Sequence, residues 1–312
     1  MRKVWLASYP KSGNTWMRML IAALSLKDGE PLDINALFER SGIASARGPF
    51  DHLTLIDSGL LTHEEIDALR PAIHAAWRHD EADEGENPAD DVLFAKTHDA
   101  YTYLADGTPL LAGAKGADGA VLIVRDPRDV APSFANHNGT DIDKAIARMA
   151  NPDFSLCGRT ERLDTQLRQR LLGWSAFNAS WLDQRDLPVL LLRYEDVQAD
   201  TAAALSRVMA FAGCPARSDA IARAVAMTDF AELTAQEAKA GFREAPGRTS
   251  SGRFFRRGKA GGWRDELTVE QVARIEDAHR AMMRRLGYPP GADAEQLEGA
   301  GAAEGDLAAS GV

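Results

Sequence analysis

Cysteine is nearly absent. Cys157 and Cys214 are the two in 312 residues; they lie far apart without metal-ligand spacing, so neither a zinc site nor a disulfide framework is expected. Both fit a reducing compartment. Long apolar runs are missing too: no stretch approaches the ~20 apolar residues of a membrane span. Near the start, Tyr9, Pro10 and Lys11 interrupt the apolar run that follows Arg2 and Lys3, so no secretory signal is expected and the reading is cytoplasmic. Positive charge is in the minority, 36 Lys and Arg against 46 Asp and Glu, for a net charge of −10. That balance argues against a nucleic-acid partner. Within this acidic chain, Arg253, Arg256, Arg257, Lys259 and Arg264 fall close together. Such a basic cluster calls for an anionic partner, with a solvated patch as the plainer alternative.

A hydrophobic content of 45% supports a substantial core. A β-prone run over residues 3–8 leads through a small polar loop into a helix with Met17, Leu20, Ile21 and Leu24 on one face. Thr62 to Glu65 reads as a capping box. Residues 81–86 read as an acidic solvated loop, and 92–95 as a short strand delivering Lys96, Thr97 and His98. The continuous apolar runs 120–124 and 188–192 suit strands buried on both faces of a parallel sheet. Residues 138–165 read as a long irregular segment, a mobile lid or substrate loop. Trp174, Phe177 and Trp181 share a helical spacing that points to core. Asp200 caps a helix that stops at Gly213, and Thr268 to Gln271 opens the last one. From 291 to 312 the chain is Gly, Ala and acidic, read as a disordered tail after a single domain, 1–290. Strands alternating with helices predict an α/β fold: a central parallel β-sheet flanked by helices. Ligands gather at the C-terminal strand edges of such sheets, where Lys11, His98, Arg125 and Tyr194 fall.

The most informative stretch is Tyr9-Pro10-Lys11-Ser12-Gly13-Asn14-Thr15-Trp16. A loop that brings free amides to a helix N-terminus favours an anion, through both the unpaired N–H groups and the dipole. Lys11 adds a mobile charge, and Ser12 and Thr15 add hydroxyls. It is not a Walker loop, whose lysine directly follows the last glycine; this lysine sits two residues before Gly13.

The stretch resembles the 5′-phosphosulfate loop of sulfotransferases that use 3′-phosphoadenosine 5′-phosphosulfate (PAPS), with Asn14 where that loop has threonine. Two further segments resemble the same family. Arg125 ends a strand and Ser133 follows eight residues later, the spacing of the family's 3′-phosphate contacts. Arg256, Arg257 and Gly258 are similar to its basic element closing over that phosphate, with Gly262 in place of an aspartate that puts the ordering of the loop in doubt. The resemblance implies a P-loop-NTPase-like sulfotransferase fold, PAPS as co-substrate and no metal.

It also implies residue roles. His98, in Lys96-Thr97-His98, would be the general base, at a pKa suited to neutral pH. Lys11 would neutralise the leaving oxygen, and Lys96 would orient the sulfuryl oxygens. Ser12, Gly13, Asn14, Thr15 and Trp16 would hold the 5′ end, with Trp16 and Tyr194 at the adenine and Thr228 beside the nucleotide. His137 reads as a surface residue, with the acceptor pocket as the alternative. The acceptor would be a hydroxylated (or amine-bearing) small molecule, lipid or carbohydrate, shaped by loops 28–60, 80–91 and 138–165. The family's dimer stretch is matched at Arg264, Thr268 and Val269 but not at Ala273, which leaves a homodimer open. The rival readings are a nucleotide kinase, in which Asp126 would hold magnesium, and a nucleotide-binding interaction module without catalysis.

Overall fold

The computed structural model describes residues 2–27, 29–37, 42–77, 92–161, 163–245 and 252–291. The acidic stretch 81–86, the whole of loop 80–91 and the tail from 292 onward lie outside the described residues.

Four parallel strands form the central sheet: β1 (Arg2–Ser8), β2 (Val92–Thr97), β3 (Gly119–Val124) and β6 (Val189–Arg193), in the order β2-β1-β3-β6. Every residue of β3 is buried, as its unbroken apolar run requires in a sheet covered on both faces. Alternation along β1 sorts the core into two layers. Val4 and Leu6 face one layer with Met17, Leu20 and Leu24, whereas Trp5 and Ala7 face the other with Phe134, Trp174, Phe177 and Trp181. A pair of two-residue strands, β4 (Ser155–Leu156) and β5 (Gln169–Arg170), makes a separate antiparallel ribbon.

The helices, in chain order, are α1 (Asn14–Leu24), α2 (Arg47–Thr54), α3 (His63–Ala76), α4 (Gly113–Gly116), α5 (Pro127–Asn138), α6 (Ile142–Ala150), α7 (Trp174–Asp183), α8 (Tyr194–Ala199), α9 (Thr201–Phe211), α10 (Ser218–Met227), α11 (Phe230–Ala240) and α12 (Val269–Arg285). Both capping boxes form, Thr62 with Glu65 and Thr268 with Gln271. Asp200 caps α9 as expected. Among the described residues no helix is long and apolar enough to cross a membrane.

One expectation is corrected. Residues 138–165 are not an irregular lid throughout, because 142–150 form α6, capped by Asp141 and burying Ala145, Ile146 and Met149. Those apolar residues stand at helical spacing, but Asp, Lys and Arg between them mask the stripe in a composition reading.

The strand order places the site. The chain leaves β1 for β2 on one side and returns to β3 on the other, so the crevice between the ends of β1 and β3 is a topological switch point. Ser8 pairs with Ile123 at that edge, which brings the loop after Ser8 beside Arg125.

Candidate active site

The loop after β1 is tightly wound. Ser12 N–H donates to the Tyr9 carbonyl at 3.3 Å, Lys11 adopts φ 70 and Gly13 φ 104. A Cβ on Gly13 would stand 2.7 Å from Cδ2 of Tyr194, so glycine is required both for the left-handed backbone and for the close approach of that ring. α1 begins directly after, at Asn14, and aims its first-turn amides into the crevice. The Ser12 hydroxyl is buried and without a hydrogen-bond partner. A buried orphan donor next to a helix N-terminus fits an anion.

Around this loop, cations crowd together. Lys11 is held down to about 7 first by burial and then by Lys96, Arg125 and Arg256, with Glu237 opposing. Its ammonium lies 3.7 Å from the ring centre of Phe254. Arg125 donates to the carbonyls of Lys11 at 3.3 Å and Lys259 at 3.0 Å, and its guanidinium stacks 4.2 Å over Tyr194. Its Nε has no partner. Carboxylates are instead taken by Arg128, which binds Asp126 at 2.8 Å and Glu276 at 2.8 Å. Asp126 is thereby neutralised while it caps α5, which removes the feature that made it a candidate magnesium ligand.

At the end of β2, the His98 Nδ1 stands 2.7 Å from the Ser8 carbonyl oxygen. A carbonyl only accepts, so Nδ1 carries the proton and Nε2 presents its lone pair. Burial, then the charge of Lys96, keep this imidazole well below the usual histidine range. The neighbouring Asp99 is fully buried and pinned by Arg70 at 3.0 and 2.5 Å and by the Arg170 N–H at 2.9 Å, which fixes the backbone that carries His98. Lys96 is lowered to about 8, by burial against the favourable charge of Glu244.

His137 corrects a sequence expectation. It is not a surface residue: its Nδ1 is buried without a partner, and its ring meets Phe254 edge-on at 6.0 Å. Burial, Lys11 and Lys96 bring it down to about 3, so it stands in the same cationic crevice as His98. Only its position one turn beyond Ser133 could have signalled this.

The strap over 252–261 carries the basic cluster. Phe254 and Phe255 donate their N–H groups to Glu237 at 2.6 and 3.0 Å, which ties the strap to α11. Arg256 grips Glu266 through both terminal nitrogens, and Arg257 reaches Asp265 at 3.0 Å. Gly258 has φ 62, and a Cβ there would collide with Phe230 at 2.2 Å. The loop is ordered despite Gly262: Asp129 of α5 accepts from the Gly261 N–H at 2.7 Å and the Trp263 N–H at 2.9 Å. A carboxylate from another element thus holds the turn around Gly262.

Two other residues sit differently from their expected use. The Asn14 amide nitrogen donates to the Leu6 carbonyl at 2.8 Å, so its side chain braces β1, and it is its backbone N–H that faces an anion at the start of α1. The Thr228 hydroxyl donates to the Ala224 carbonyl at 2.9 Å, while the Thr228 carbonyl accepts from the Trp16 indole at 3.2 Å; Thr228 orients Trp16 rather than offering a hydroxyl. Trp16 in turn meets Tyr194 edge-on at 5.9 Å. Ser133 is half-buried on α5, and Thr15 is half-buried in the first turn of α1.

Comparison with known proteins shows the family of this chain. The family described as "Sulfotransferase domain" matches residues 115–287. The chain is 25% identical over 295 residues to Cytosolic sulfotransferase 17 of Arabidopsis thaliana, covering 91% of this chain and 75% of that one. It is 25% identical over 291 residues to Sulfotransferase 2B1 of Mus musculus, covering 90% and 71%. Among solved structures, retinol dehydratase in a complex with retinol and PAP has a TM-score of 0.56 at 20% identity, covering 91% of this chain and 82% of that one; that likeness bears on the fold.

Proposed function

Since this chain belongs to the sulfotransferase domain family, we propose that it moves a sulfuryl group from PAPS to a hydroxyl acceptor, with His98 as base and Lys11 at the leaving oxygen. The observation that carries this reading is the crowding of Lys11 by Lys96, Arg125 and Arg256 beside the orphan Ser12 hydroxyl at the α1 N-terminus. Cations packed so closely disfavour one another unless a multiply charged anion joins them. Relatives crystallised with PAP point the same way.

In this reading the amides of Gly13, Asn14 and Thr15 and the Ser12 hydroxyl hold the 5′ end. Arg125, Ser133, Arg257 and Gly258 hold the 3′-phosphate, for which an arginine fork and a hydroxyl make charge-assisted bonds. Trp16 and Tyr194 flank the base, and Arg256 adds charge near Lys11. The transfer is in-line and resembles phosphoryl transfer, so positioning and charge stabilisation supply most of the acceleration. Lys11, charged once phosphates surround it, meets the negative charge growing on the leaving oxygen. His98 Nε2 takes the acceptor proton, and Lys96 orients the sulfuryl oxygens.

The acceptor is a hydroxylated small molecule, lipid or carbohydrate; retinol and androsterone are bound by the retinol dehydratase neighbour. A cytoplasmic setting, a single domain over 1–290 and a homodimer through the exposed Val269 at the start of α12 belong to the same proposal. Calorimetry with adenosine 3′,5′-bisphosphate, ADP and ATP, with and without magnesium, tests it. Magnesium-independent preference for the bisphosphate is expected, and preference for ADP with magnesium would return the chain to the kinases. Screening an acceptor library with labelled PAPS then identifies the second substrate.

A further inference from the structure

Glu244 lies beyond α11 and belongs to none of the motifs read from the sequence. Its side chain nevertheless joins three elements at the floor of the cleft. Nη1 of Arg18, a side chain of α1 with no exposure, donates to its two carboxylate oxygens at 2.7 and 2.9 Å. On its other side, Lys96 Nζ stands 3.6 Å from Oε2. The carboxylate is itself only 9% exposed. A buried carboxylate fixed by a guanidinium cannot swing away from a second cation, so its position sets that of the lysine.

We propose that Glu244, clamped by Arg18, is a positioning residue that holds Lys96 as an ammonium beside His98 at the transfer end of the cleft. The inference rests on the sulfuryl-transfer reading of that cleft. Of the other groups facing Lys96, Arg18 from α1 and Lys11 from the loop after β1 work against its ammonium, while His98 at the end of β2 and His137 from α5 are neutral imidazoles in the neutral range and supply no opposing charge. Glu244 is the opposing charge, and it is the larger electrostatic influence on Lys96, ahead of Arg18. Removing it leaves a half-buried amine among cations, which sheds its proton at lower pH. Because Lys96 lies two residues before His98, a neutral Lys96 also removes one of the charges that keep the base unprotonated.

The test is a titration of Lys96 in the full chain. Lysines are reductively methylated with 13C-formaldehyde and followed by NMR, and the Lys96 signal is assigned by its loss in Lys96→Arg. Wild type titrates near about 8. Glu244→Gln lowers this by about one pH unit or more, a tenfold shift from ammonium to amine, whereas Glu244→Asp stays closer to wild type. If Glu244→Gln does not fold, the double variant Arg18→Gln with Glu244→Gln removes both charges and gives a smaller shift in the same direction. An unchanged Lys96 titration in the folded variant overturns the proposal. Calorimetry with adenosine 3′,5′-bisphosphate on unmethylated wild-type protein separates the two ideas. Failure to bind sinks the sulfuryl-transfer reading, while the titration still judges Glu244.

Discussion

The His98 ring is tied to the Ser8 carbonyl at 2.7 Å, so strand β1 dictates the tautomer of a base carried by strand β2. Since burial holds this imidazole well below 6.5, it is neutral and competent throughout the neutral range. The acid limb of kcat/KM, which reports the free enzyme, therefore lies below pH 6.5. Replacing His98 by Ala lowers turnover by ~10²–10⁴ and leaves affinity for adenosine 3′,5′-bisphosphate unchanged. A profile already falling at pH 7 would falsify this assignment.

Lys11 titrates near about 7 in the free protein. A bound bisphosphate supplies opposite charge and raises that value, so between pH 7 and 9 binding takes up a proton. Calorimetry in buffers of different ionisation enthalpy measures it directly: the apparent enthalpy varies with the buffer in wild type and does not in Lys11→Met. Equal buffer dependence in both proteins rules Lys11 out as the linked group. Lys11→Ala abolishes turnover.

Asp129 orders the strap through the N–H groups of Gly261 and Trp263. In Asp129→Ala those two donors lose their acceptor, a destabilisation of about 1–3 kcal/mol. Affinity for adenosine 3′,5′-bisphosphate drops more than affinity for adenosine 5′-monophosphate, because the strap closes on the 3′ side. Competition binding of the two nucleotides reads the difference. Equal losses for both would place the effect in the fold at large.

Gly13 combines a left-handed backbone with the Tyr194 ring against its Cα. Gly13→Ala adds strain of roughly 1 kcal/mol or more from the backbone alone and pushes the ring away. Lower thermal stability is expected together with weaker nucleotide binding, since Tyr194 supports Arg125. A variant with wild-type melting and binding contradicts the geometry.

Much of this site was legible in the chain because local rules dictate it. The buried run of β3, the Gly13 turn and the Thr268 box each depend on neighbours within a few residues, and each formed where expected. What stayed hidden depends on distant partners. Asp129 holds the Gly261 and Trp263 amides from more than a hundred residues away. His137 turned out half-buried, with Phe254 edge-on against its ring, and Thr228 spends its hydroxyl on its own helix. The link between Arg18 and Glu244 joins residues more than two hundred positions apart in the chain. No periodicity or spacing carries such pairings.

The carboxylates facing the strap have a consequence for electrolyte behaviour. Glu266 and Asp265 already occupy Arg256 and Arg257, so an arriving phosphate exchanges with resident acids instead of shedding a cloud of loosely held counterions. Nucleotide affinity should thus fall less with added salt than the number of arginines suggests. The same internal neutralisation leaves the strap a poor trap for polyanions, in keeping with a chain of net charge −10.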